Sequence, residues 1–470
     1  MCRFRSLYSV PVRPKKNKVY RYIFTLFLLN IARGAEVPSN PFLADSPWPM
    51  THRNPYCQAS SPFPGPTASE VNEGRVSFGM LSQEAVAITL NFSPLDSKGE
   101  YSVWAGARKM LYEISPEWKE TSTRRKEGSS PRALSGAYTV LDREGRLFIP
   151  RGNEIQVYRN NFLLERFGVA PEGEMVVGLN LTYDGFLVWV SDRSLVGVMD
   201  RDAGTSHLLR LSENEEVSNS IALDEEGGIY VVTDSQMYRV QWGNNELTLD
   251  WKTPYPTTTE PMAGRLGLGS GTTPTLMGWG SHDKLVVIAD GQEKMHIVAF
   301  WRATGKIAGS VPILFGDSER ERAITEQSLL VHDYDAVAVN NDYGKRSTSH
   351  VSNMKTILLS NSKKIAPYGM EKFHWDERQH TFLSVWSNQL VSVPNGIPTM
   401  SSRTGLIYYV GQHDEKWTME GVNWETGNLA FRYSLADRLK YNSFYAATEI
   451  GYDGAIVSGT FGGAMRLLPR

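Results

Sequence analysis

Seven short polar steps recur along the chain, each close to an apolar run: Ser135-Gly136, Asn180, Asn219-Ser220, Thr272-Thr273, Gln327-Ser328, Asn395-Gly396 and Asn442-Ser443. Amides and hydroxyls are hard oxygen donors, and each can also donate or accept a hydrogen bond. A ring of them suits a small polar ligand or a hard cation such as calcium. The plainer reading is that a crowded wall favours small residues whose polar atoms are met by water. A second set, Tyr343, Lys345 and Arg346 with His350, sits in a long polar stretch and could meet an anionic or polar ligand.

Other tempting residues point to turns. Gly267–Gly271 reads GLGSG but precedes a strand pattern, whereas a dinucleotide fingerprint opens a helix. His282, His332 and His413 each precede Asp, but the first two fall in turn sequences, as do His374 and His380. His52 and Arg53 stand beside Trp48 and Tyr56, where packing is the expected role. There is no Gly-x-Ser-x-Gly and no His-Glu-x-x-His. The two cysteines, Cys2 and Cys57, make no Cys-x-x-Cys, so a Cys-rich zinc site, a c-type haem and a disulfide framework are excluded. With no redox-capable cysteine pair, an enzymatic role would favour metal-assisted hydrolysis or a lyase step over oxidoreduction. The alternative from another class is a non-catalytic scaffold that docks protein partners. A net charge of −2 argues against a general nucleic-acid grip.

The elements that must position these residues come from a repeat. A turn built on Gly, Asp or Asn leads into a short apolar strand at 95–106, 141–152, 181–192, 223–234, 280–291, 331–342, 401–412 and 450–461. A second phrase, an apolar run with Trp and then Thr-Gly, follows at 298–309 and 421–431. Each unit therefore reads as four strands, A to D, with the first phrase as the A–B hairpin and the second as the C–D turn. Four-stranded units bury both faces only against neighbours, so the fold is all-β, a β-propeller with eight four-stranded blades. Seven blades result if one copy is miscounted. The last copy is followed by nine residues, GGAMRLLPR, and so lacks a D strand. A strand from the N-terminal arm or from 75–92 is expected to supply it. In this topology strand A lines the channel, and the D–A and B–C connections share one face. Long stretches at 116–134, 253–271 (both D–A) and 342–366 (B–C) would wall a pocket there.

The N-terminus reads as an export signal over 1–34: a basic region, then YIFTLFLLNIA, then small residues before Ala35. The protein is thus expected to be secreted or periplasmic, monomeric, and in contact with a membrane only if that segment is not cleaved. Residues 35–74 form a Pro-rich arm, with eight of the 24 prolines in 36–66, and 75–470 form the propeller. The stretch 36–66 cannot be a helix or central strand, and its aromatics should lie on the folded body.

The sequence WPMTHR at 48–53 resembles the Trp-Pro-Met-x-x-Arg opening of proteins with PQQ-like propeller repeats, and the Thr-Gly turns at 301–306 and 424–428 are similar to their repeat segment. The chain so resembles the quinoprotein alcohol dehydrogenase-like propellers. That resemblance implies a PQQ cofactor with calcium, but the vicinal cysteines of true PQQ dehydrogenases are missing, which argues against PQQ here. A shorter stretch, 218–240, resembles calcium-dependent gluconolactonase and strictosidine synthase-type propellers, which implies Asn219 as a calcium ligand.

Overall fold

The repeats close into a ring of eight four-stranded antiparallel sheets in a computed structural model, which describes residues 37–82, 89–126, 138–260, 262–263, 265, 267–344 and 355–470. Strands A to D run outward from the axis. Their A strands are Leu90–Phe92, Val140–Leu141, Val176–Leu181, Ala222–Leu223, Thr275–Met277, Leu330–His332, Thr399–Ser401 and Thr448–Ile450, in blades 1 to 8.

The alternation along a B strand explains the repeated apolar run. In Leu187–Ser191, Leu187 and Trp189 face blade 2 and pack with Phe148 and Val157. Val188 and Val190 face blade 4 and pack with Ile229 and Val231. Both faces of the sheet are interior, so an uninterrupted apolar strand is what this position requires.

The Thr-Gly turns lock neighbouring blades together. Gly427, in the C–D turn of blade 7, has φ 70°, and a Cβ there would lie 2.5 Å from the Trp386 ring on strand D of blade 6. Trp386 Nε1 donates to the Trp424 carbonyl at 2.9 Å. Blades 4 and 5 repeat the arrangement, with Trp251 on Gly305 and Trp251 Nε1 donating to Arg302 O at 2.8 Å. The second sequence phrase is therefore the socket for the preceding blade's tryptophan.

Closure comes from the N-terminal side. Val76–Ser82 pairs antiparallel with Gly463–Pro469 and is the fourth strand of blade 8, as the missing D strand required. One expectation is corrected. The stretch 116–134 is not one long loop, because Glu120–Arg125 is strand D of blade 1. That strand alternates exposed and half-buried residues and lacks the apolar signature. Residues 127–137 lie outside the described residues.

The arm lies along the ring's axis. Inner strands have an unpaired edge whose N–H groups need acceptors. Proline-rich chain supplies carbonyls and few donors. Carbonyls of Trp48, Pro49, Pro55, Tyr56, Gln58 and Ala59 accept from Phe92, Leu141, Leu223, Leu276, Val331 and Met400, in blades 1, 2, 4, 5, 6 and 7, at 2.8–3.1 Å. Ser60–Ser61 then runs parallel to strand A of blade 7. Its apolar side chains enter successive inter-blade cores: Met50 between blades 2 and 3, Trp48 between 8 and 1, Tyr56 and Cys57 between 4 and 5. The arm thus fastens the blades from within.

Candidate functional site

The residues that precede each A strand lie on the face of the D–A and B–C connections. The arm bonded to the inner edges includes the loop His52–Ala59, closed by Ala59 N donating to His52 O at 3.0 Å. Four non-glycine residues in it take left-handed φ: His52 57°, Arg53 75°, Cys57 59° and Ala59 54°. Each costs on the order of 1–2 kcal/mol, so the surroundings must hold the loop in place. Gln58 Nε2 donates to Leu276 O at 3.0 Å, and Arg53 donates to Ser60 O at 3.0 Å.

His52 is fully buried, and neither ring nitrogen has a hydrogen-bond partner among the described residues. Burial pulls its pKa down to about 4, so the imidazole is neutral at pH 7. Its ring lies 6.5 Å from that of Tyr138. Tyr138 reaches Thr273, and burial pushes its phenol up to about 12. Cys57 is buried, and burial pushes its thiol upward, away from thiolate chemistry.

Glu326 lies on this face. Its carboxylate pairs with Arg265 at 3.3 Å, and both side chains are almost wholly buried. Arg265 comes from the 253–271 stretch and also donates to Gly291 O, at 3.0 Å, and to Gly269 O. Glu326 acts electrostatically on Tyr138, Tyr343 and Tyr445, and burial raises the last two phenols as well. Glu326 thus joins Arg265 to three buried phenols on this face.

The expected ligand residues divide into three groups. Several are committed to the scaffold. Asn180 lies inside strand A of blade 3, not ahead of it, and its Nδ2 donates to Pro55 O at 3.1 Å and Ile221 O at 2.8 Å. Asn219 donates to Ser270 O at 2.8 Å. Ser220 donates to Leu179 O at 3.5 Å, and Thr272 accepts from Ala289 N at 3.0 Å. Ser328 accepts from Thr273 N at 3.1 Å.

A second group holds the blade 6 insertion. Asn395 and Asn442 both donate to Ile357 O at 3.1 Å, and the Tyr343 hydroxyl donates to Pro394 O. Ile357 packs with Phe444 and Tyr445. The insertion is thereby fastened onto the approaches to blades 7 and 8. Lys345, Arg346 and His350 lie outside the described residues.

A third group keeps buried polar atoms without a partner among the described residues: both amide atoms of Gln327, Oγ1 of Thr273, Oγ of Ser443 and Oδ1 of Asn395. Thr448 Oγ1, in strand A of blade 8, joins them.

Two buried carboxyls stand beside these amides and hydroxyls. Glu326 directly precedes Gln327. Glu449 lies within strand A of blade 8, where both oxygens accept from Leu90 N of blade 1 at 3.0 Å. Burial raises the Glu449 carboxyl well above its usual range. An acid inside or next to a short apolar run was the available signal. Arg265, Tyr138 and Tyr445 carry no such signal, because only the closed ring brings them to Glu326.

No family model matches the chain. An uncharacterized protein of Archaeoglobus fulgidus is 40% identical over 474 residues, covering 92% of this chain and 89% of that protein. Among solved structures, a europium-containing methanol dehydrogenase is similar with TM-score 0.60 at 10% identity, over 90% of this chain and 98% of its own. A quinohemoprotein alcohol dehydrogenase from Pseudomonas putida HK5 gives 0.59 at 11%, over 90% and 80%. One from Comamonas testosteroni gives 0.57 at 11%, over 92% and 81%. At such identities the likeness is one of fold. The chain belongs to the family of the Archaeoglobus fulgidus protein, and its eight-bladed propeller is similar in fold to these methanol and quinohemoprotein alcohol dehydrogenases.

Proposed function

We propose that this protein binds a small polar ligand in the channel mouth, between the loop His52–Ala59 and the rim at Tyr343 and Tyr445. One observation carries the reading: buried polar atoms of His52, Gln327, Ser443 and Asn395 have no hydrogen-bond partner among the described residues. Each unsatisfied buried polar group costs about 1–3 kcal/mol, and native proteins keep few of them. Such groups are what a hydrogen-bonding ligand would satisfy. The export-like N-terminus adds the proposal that the protein acts in a secreted or periplasmic compartment, which N-terminal sequencing of the mature protein tests.

The fold neighbours are named for europium and for a quinone with haem. The residues here do not fit such groups. Among the described residues no three His, Cys, Asp or Glu side chains gather as metal ligands. Glu326 is held by Arg265, and Asn219, the calcium candidate, is engaged with Ser270. The chain also has no Cys-x-x-Cys-His for haem. No catalytic step is therefore assigned, and binding without a stated reaction is the function best supported.

The test is thermal unfolding after EDTA treatment, then with calcium, with PQQ, and with a panel of small polar molecules. A ligand at 100 times its Kd adds about 2.7 kcal/mol to stability. A polar organic molecule should raise the midpoint, and Gln327→Leu should abolish the rise. A rise with calcium and PQQ together, kept in Gln327→Leu, would sink the proposal and restore the dehydrogenase reading.

A further inference from the structure

The axial arm needs a ring that has already closed. Trp48 is fully buried in a pocket whose walls come from both ends of the propeller: Leu90, Phe92 and Val103 of blade 1, and Ala455, Val457 and Ala464 of blade 8. Blade 8 is itself complete only when Val76–Ser82 pairs with Gly463–Pro469. Met50 packs between blades 2 and 3, and Tyr56 and Cys57 pack between blades 4 and 5. Each of these pockets exists only with two blades in place.

The polar contacts have the same dependence. Six arm carbonyls accept from the N–H groups of Phe92, Leu141, Leu223, Leu276, Val331 and Met400, one from each of six blades. Ring side chains add Asn91 Nδ2 donating to Pro49 O at 3.0 Å, Asn180 Nδ2 to Pro55 O at 3.1 Å and Thr399 Oγ1 to Ala59 O at 2.6 Å. Within the arm, His52, Arg53, Cys57 and Ala59 hold left-handed φ, which a free chain avoids. The arm therefore takes its shape from the blades together and not from its own sequence. Contacts between distant parts of a chain come late, because the entropy of closing the loop must be met first.

We propose that the arm is a strap: it docks last, onto the closed ring, and it undocks as a single unit before any blade opens. Undocking bares the inner edges of six blades together, so the strap controls access to the axis of the propeller. Such a partial opening makes widely separated amides exchange with solvent as one group.

The test is native-state hydrogen exchange on the intact protein at single-residue resolution. After correction for intrinsic rates, the six amides should agree to within about threefold and should exchange about tenfold or more faster than those of strand B in blades 3 and 4, Leu187–Ser191 and Gly228–Val232. Trp48→Ala should speed all six by one common factor of about tenfold or more and leave those strand B amides within about twofold of wild type. Met50→Ala serves where Trp48→Ala fails to fold. Six amides that each follow strand B of their own blade, or that exchange no faster than strand B, would overturn the proposal. So would a variant that speeds only the amides beside the altered pocket, because the arm would then fray piece by piece.

Discussion

Acidification should unlock the centre of this molecule through one histidine. The ordinary imidazole value of 6.5 falls to about 4 at His52 because the ring is buried and has no partner for a proton among the described residues. The unfolded chain takes up a proton near 6.5, and the native state does not until about 4. The stability tied to the neutral ring is complete above 6.5 and is lost as the pH falls through that value towards 4. The full gap corresponds to about 3.4 kcal/mol, of which about 2.5 kcal/mol is spent by pH 4.5. Unfolding entropy of about 2.1 cal/mol/K per residue gives roughly 0.9 kcal/mol/K for the Val37–Arg470 unit, so the midpoint should move by about 3 °C. The assay is the unfolding midpoint of wild type and of His52→Gln between pH 7.5 and 4.5. Carboxylates common to both proteins cancel in the difference. The gap between the two should shift by about 3 °C against wild type as the pH falls. A gap that stays constant, or an NMR titration of His52 near 6.5, would refute the reasoning.

Glu449 should behave in the opposite sense. Its carboxyl is raised by burial, so the native state is favoured below about 4.5 and loses ground as pH rises; Glu449→Gln should exceed wild type in urea midpoint at pH 8, with the advantage gone below pH 4.5. Arg265→Met strands a buried carboxylate and should cost about 3–5 kcal/mol, most of it recovered in Arg265→Met/Glu326→Leu, and additive losses in that double-mutant cycle would contradict the pairing. Gly427→Ala should cost about 2–4 kcal/mol from a left-handed backbone pressed on Trp386, and combining it with Trp386→Ala should remove the packing part, as denaturant titration would show. Asn395→Ala with Asn442→Ala removes both anchors of Ile357 and should speed proteolysis in 355–366 severalfold without changing blade closure.

Much of the fold was legible because a propeller repeats its local rules. Each turn–strand phrase is set by nearby residues, and Gly305 and Gly427 mark sockets whose left-handed backbone is a local demand. The count of eight and the borrowed strand Val76–Ser82 followed from an incomplete last unit. The site was only half legible for the converse reason. Asn395, Asn442 and Tyr343 have the right types to bind a ligand, yet they bind the Ile357 segment and Pro394, a partnership between residues far apart in the chain.

What the amino-acid sequence by itself determined is therefore the blade: its strand period, its turns and its four-strand length, all governed by contacts within about ten residues. What only the tertiary structure decided is the centre. The Pro-rich arm could be recognised as extended and adherent, but its path depends on the inner edges of six blades, whose unpaired N–H groups exist only once the ring has formed. The meeting of His52, Tyr138, Glu326 and Arg265 arises there for the same reason, since each is brought in by a different element and none signals the others along the chain.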